Sequence, residues 1–271
     1  MDNEKLSTEN SDISNDINND VSADAESVSA PRPHLSEGFD AETEKRLSEE
    51  SPYNSTSWLV IVSKYISAIF SPLLMPTYCM AMAMWLTPLS MIPENTRLSS
   101  SLVILFLTGI IPMAMILGLI KTGHVSNLDI SNRRQRLIPL VATSLCYLAA
   151  AIYLHRIQAP DWLCMLFIGA LGAGFIATVV SIWWKISVHA TAAGALVGLL
   201  VRFSVSELNI VPILPWIVGA ILLGGLIGVS RVVLNAHTPG QFVAGELLGG
   251  LCIYFATGLP LPFVANHILP L

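Results

Sequence analysis

The sequence predicts an all-α, polytopic transmembrane bundle of about seven spans behind a disordered N-terminal tail. Three observations carry this reading. Hydrophobic residues make up 53% of the 271 and charged residues only 12%, too apolar a balance for a soluble domain. The apolar residues are gathered into blocks near the ~20 residues that cross a bilayer as a helix. Charge is partitioned as sharply: residues 1–57 hold fourteen of the nineteen acids but only four of the fourteen bases.

That first segment is rich in Ser, Asn, Asp and Glu and cannot bury enough apolar surface to offset the entropy of ordering. A disordered acidic tail is expected over residues 1–57. It lacks the basic n-region and apolar h-region of a secretory signal. Residues 58–271 form the membrane domain. From Trp58 to Phe70 an apolar stretch keeps Ser63, Lys64 and Ser67 on one helical face, the pattern of a helix lying in the membrane interface or of an extension of the first span. Pro72 then turns the chain inward.

Seven segments follow that approach spanning length: residues 72–92, 100–120, 138–155, 162–184, 189–206, 211–230 and 240–258. Cys79, Cys146, Cys164 and Cys252 fall inside them without CxxC pairing, so they read as small packing residues rather than zinc ligands or a disulfide framework. Gly169, Gly172, Gly224, Gly225, Gly228, Gly245 and Gly249 are expected to let helix backbones approach closely.

Polar residues of the membrane domain collect after the even-numbered segments. Lys121, His124, Arg133, Arg134 and Arg136 follow the second, Lys185, Ser187 and His189 follow the fourth, and Ser230 to Gln241 follow the sixth. With seven spans these loops share one membrane face. Each group has an ordinary explanation. Arg133, Arg134 and Arg136 suit a cytoplasmic topology signal, His189 suits an interhelical hydrogen bond, and Arg231 suits a snorkelling cation. Together, several cations, two imidazoles and a hydroxyl on one face make an oxyanion cradle.

Phosphoryl transfer needs its equatorial oxygens held, a nucleophile in line and a proton source. Arg136 and Arg231 each offer a forked pair of N–H donors, and Ser187 adds a hydroxyl. One histidine can attack phosphorus as neutral imidazole while the other protonates the leaving oxygen and then activates water. This division calls for no metal and no cofactor. The chain has neither an Asp-rich cluster nor Gly-x4-Gly-Lys-Ser/Thr, which argues against a two-metal phosphatase and a P-loop nucleotidase.

Three segments in order resemble the signature of the type 2 phosphatidic acid phosphatase (PAP2) superfamily, Lys-x6-Arg-Pro, Pro-Ser-Gly-His and Ser-Arg-x5-His-x3-Asp. The third matches at Ser230, Arg231 and His237 but places Gln241 where the pattern has Asp. The second is present as Ile186-Ser187-Val188-His189, keeping Ser and His. The first is the weakest: Arg136 can stand for the family arginine, Pro139 comes three residues after it, and Asp129 occupies the lysine position. Arg133, Arg134 or Lys185 can supply the second cation.

The resemblance spans roughly residues 120–258 and implies a PAP2-like six-helix core. It further implies His237 as nucleophile, His189 as general acid/base, and Arg136, Ser187 and Arg231 as phosphate ligands. In the family the Asp orients the nucleophilic histidine and stabilises its cation. Gln241 can accept the same N–H bond but adds no charge, and its amide can flip. Glu246, the acid within the last segment, either restores that charge or makes an interhelical packing contact.

The expected activity is hydrolysis of lipid-linked phosphate monoesters or diphosphates through a phosphohistidine, at the cell inner or plasma membrane. The expected partners are the membrane and a phosphorylated lipid, with no nucleic acid. Two alternatives keep the cradle: a binder or carrier of phosphorylated lipid, and a phosphotransferase to an acceptor other than water. A secondary transporter fits less well, because no internal repeat is evident and the charges lie at one face. Arg202, thirteen residues beyond His189 and ~20 Å along a helix, is placed near the opposite surface.

Overall fold

The computed structural model describes residues 57–123 and 133–260, with side chains for all but 133–136. The tail expected over residues 1–57 therefore lies outside the described residues except for Ser57, and so does His124. Among the described residues there are eight helices and no strand. They are α1 (Trp58–Ile69), α2 (Met75–Leu86), α3 (Glu94–Lys121), α4 (Arg133–Arg156), α5 (Asp161–Trp183), α6 (Val188–Val205), α7 (Leu214–Val233) and α8 (Pro239–Ala256).

Five helices are long and apolar enough to cross a membrane: α3, Leu137–Arg156 within α4, α5, α6 and α7. This is the architecture of an integral, multi-pass membrane protein. The two other expected spans differ for local reasons. Segment 72–92 resolves into α2, only 12 residues long, and a 3-10 turn at Pro88–Met91. Pro88 forces Thr87 into extended backbone, with φ −115 and ψ 175, as expected before proline. The Thr87 hydroxyl, donating to the Ala83 carbonyl at 2.7 Å and accepting from the Leu89 N–H at 3.3 Å, closes the helix end. Helix α8 has 18 residues but carries Gln241 and Glu246, which lower its hydropathy.

Proline also shapes α3. A π-helical turn at Phe106–Ile110 precedes Pro112, whose ring displaces the carbonyl four residues back and whose missing N–H breaks the regular ladder.

The most extensive helix pairing is α6 with α8, and glycine makes it close. A side chain at Gly249 would strike the Thr191 carbonyl, and one at Gly194 would strike the Glu246 backbone. Gly245, Gly228 and Gly169 also face close neighbours, whereas Gly172 and Gly225 meet nothing within 4 Å. The close-approach explanation thus fails for these last two. Helices α6 and α8 run in the same direction: Ser187 bonds to Gln241 at one end, and Arg202 lies over Tyr254 and against Gly258 at the other. Helix α7 runs opposite, with Gly224 beside Glu246 and Gly228 beside Phe242. The ends of α6, α7 and α8 that carry His189, Arg231 and Gln241 therefore coincide.

Helix α1 meets the bundle with its hydroxyl side. It packs along α7, and its hydroxyl side, Ser63 and Ser67, is buried, while Trp58, Tyr65 and Ile69 are 69%, 66% and 52% exposed. Here the apolar side faces outward, as lipid contact requires, and the polar side faces the bundle.

Candidate active site

The site begins where α7 stops. Arg231 lies in the last turn of α7, 2% exposed, where a cation is favoured by the helix dipole. Asn235 then takes a left-handed backbone, φ 50, and the chain folds back. The N–H groups of Ala236 and His237 both donate to the Arg231 carbonyl, at 3.0 and 3.4 Å. The five-residue gap between Arg231 and His237 is thus the length of a helix-terminating reversal, and it sets the buried imidazole beside the end of α7.

Asn is one of the few residues that enters this backbone region readily; other side chains cost about 1–2 kcal/mol there. Asn235→Val is therefore expected to lower stability by at least about 1 kcal/mol in thermal unfolding of the detergent-purified protein. Asn235→Gly should leave it within a few tenths of wild type.

His237 leads into α8 through a capping box. Thr238 is the N-cap, its Oγ1 accepts the Gln241 N–H at 3.4 Å, and the Gln241 side-chain Oε1 accepts the Thr238 N–H at 3.2 Å. The same Oε1 lies 3.2 Å from His237 Nδ1. A backbone N–H can only donate, so the Thr238 contact fixes which end of the Gln241 amide points inward. The amide flip that a lone glutamine would permit is removed. Facing an acceptor, Nδ1 of His237 carries the proton, and the lone pair of the neutral ring lies on Nε2.

The α5–α6 connection supplies the other side. Ser187 is fully buried as the N-cap of α6: its Oγ accepts the Ala190 N–H at 3.3 Å. Its own N–H donates to the Gln241 backbone carbonyl at 3.4 Å, tying the two histidine segments together. His189 Nε2 lies 3.2 Å from the Ser67 carbonyl of α1, so Nε2 is the donor in that contact. His189 and Arg231 both line a cavity of about 770 Å³ among α1–α8. Most of its wall is apolar, from Met113, Leu117, Leu140 and Phe167 among others.

Residues 180–262 match the family model of the PAP2 superfamily. Comparison with curated proteins and with solved structures returned no match. The PAP2 segment takes in Lys185, Ser187, His189, Arg231, His237 and Gln241, which the fold gathers at one end of α6, α7 and α8. Lys185, half-buried, sits two residues before Ser187. Arg133, Arg134 and Arg136 open α4, upstream of the PAP2 segment, and their side chains lie outside the described residues. The following turns of α4, at Pro139, Leu140 and Thr143, line the same cavity as His189 and Arg231.

Glu246 takes the packing alternative. Its Oε1 occupies the space beside Gly224, two turns back along α7 from Arg231. The sequence reading missed α1 as a wall of the site. The signal was present in the shared face of Ser63, Lys64 and Ser67, but only packing against α7 reveals that Ser63 and Ser67 turn inward while Lys64 stays exposed.

Proposed function

We propose that the chain is a membrane phosphatase that hydrolyses lipid-linked phosphate monoesters or diphosphates through a phosphohistidine on His237. The observation that carries this reading is the double acceptance by Gln241 Oε1, from Thr238 N–H and His237 Nδ1. It holds the imidazole in the tautomer whose Nε2 lone pair can attack.

In the first step Nε2 of His237 forms a bond to phosphorus as the phosphorus–oxygen bond to the lipid breaks, and His189 gives the leaving oxygen a proton from Nδ1. In the second, water attacks the phosphohistidine, His189 takes the proton of the water, and the nitrogen–phosphorus bond breaks to release phosphate. Arg231, Arg136 and the Ser187 hydroxyl hold the equatorial oxygens, where charge-assisted donors are strongest. Lys185, Arg133 and Arg134 are the further cations of the loops. The mostly apolar cavity beside His189 and Arg231 suits acyl or polyprenyl chains, which supports a lipid substrate.

Detergent-purified protein should release phosphate from at least one of phosphatidic acid, phosphatidylglycerol phosphate, a polyprenyl diphosphate and phosphorylated lipid A. Silence across all four would end the hydrolase reading. Because Gln241 adds no charge, a second reading keeps binding without turnover, as a phospholipid or polyprenyl-phosphate carrier. Saturable binding of the same lipids with no release would favour it. Transfer of labelled phosphate to a second lipid would instead identify a phosphotransferase.

A further inference from the structure

Helix α1 brings to the cavity two polar groups that the mechanism has not used. Ser67 is only 7% exposed, its Oγ has no hydrogen-bond partner, and it lines the cavity with Lys64, Ser71, His189 and Arg231. Its carbonyl is the group 3.2 Å from His189 Nε2, so this unpartnered hydroxyl belongs to a residue in contact with a catalytic imidazole. Lys64, three residues earlier, is exposed on the outside of the chain and also lines the cavity. A buried hydroxyl without a partner is costly and calls for an explanation.

Charge points the same way. Among the described residues lining the cavity, Lys64 and Arg231 are the cations and there is no Asp or Glu. Two positive side chains in the described lining of one largely apolar cavity suit an anion. A phosphate monoester brings close to two negative charges at neutral pH, so a cation from α1 adds to Arg231 and Arg136 in balancing it.

We propose that Lys64 and Ser67 of α1 are phosphate ligands of this site, Lys64 as the cation paired across the cavity with Arg231 and Ser67 as a hydroxyl donor. The naming of phosphate rests on the phosphatase reading. The assignment places part of the site on a helix about 110 residues upstream of the PAP2 segment. It also gives the Ser67 carbonyl a positioning role, because the residue that binds phosphate is the one that orients His189.

The test uses the full chain in detergent micelles, comparing wild type with Lys64→Met, Lys64→Arg and Ser67→Ala. KM and kcat are measured on phosphatidic acid, and binding of inorganic phosphate and of orthovanadate is read from thermal shifts. Lys64→Met is expected to raise KM and weaken both anions about tenfold, Ser67→Ala to do so several-fold, and Lys64→Arg to recover most of the loss. Active wild type with unchanged KM and anion affinity in Lys64→Met and Ser67→Ala would overturn the inference while leaving the phosphatase reading intact. Loss of phosphatidic acid affinity alone, with inorganic phosphate unaffected, would also overturn it, since Lys64 would then serve the lipid surface rather than the phosphate. Wild type that neither binds the anions nor releases phosphate would overturn both.

Discussion

His237→Ala is expected to reduce phosphate release by about 10⁴-fold or more, the scale of losing a nucleophile rather than a binding contact. The substitution removes the protein atom to which phosphorus is bonded in the proposed intermediate, so KM should change far less than kcat. Rapid quenching of wild type with labelled lipid phosphate should trap acid-labile, alkali-stable label on the protein, as a nitrogen–phosphorus bond requires. His237→Ala should trap none. His189→Ala should still trap label from a substrate with a good leaving group, because it removes the proton transfers but leaves the attacking nitrogen in place. Label retained by His237→Ala would assign the nucleophile elsewhere.

Gln241→Ala should lower kcat roughly 100-fold, at the lower end of what a correctly placed proton partner contributes. The change deletes the acceptor that fixes the His237 tautomer and half of the capping box of α8. Gln241→Glu separates these effects, since glutamate keeps the reach and the capping geometry while adding a negative charge beside Nδ1. That charge stabilises the imidazolium, as the intermediate needs, so plateau kcat should rise.

The same charge raises the pKa of His237. Attack requires the neutral ring, so the acidic limb of the kcat/KM profile should move to higher pH, on the order of one unit. Gln241→Asp gains the charge with a side chain one methylene shorter and should show a smaller increase. A fall in plateau rate with Gln241→Glu would mean that the neutral amide is the partner this site requires.

Much of the fold is legible in the chain because bilayer-spanning helices announce themselves by length and apolarity. The expected segments 162–184 and 189–206 lie within a residue of α5 and α6. Local backbone chemistry was less so. Segment 72–92 reads as one apolar run, yet Pro88 ends its helix early. Gly172 and Gly225 read like the packing glycines, yet face open space, because a sequence does not state which side of a helix meets a neighbour.

The site divides in the same way. The types and spacing of Ser187, His189, Arg231 and His237 were sufficient to suggest oxyanion chemistry, since forked cations and paired imidazoles suit phosphate and little else at a helix end. Composition alone determined an all-helical membrane chain, because 53% hydrophobic residues in helix-length blocks have no other stable arrangement across lipid. Tertiary structure decided two things. It turned Ser63 and Ser67 of α1 toward the bundle and set Glu246 against Gly224. Both depend on which groups from distant segments come within van der Waals reach, and residue spacing within one segment carries no record of that, whereas the Gln241 amide is locked locally, by Thr238 three residues before it.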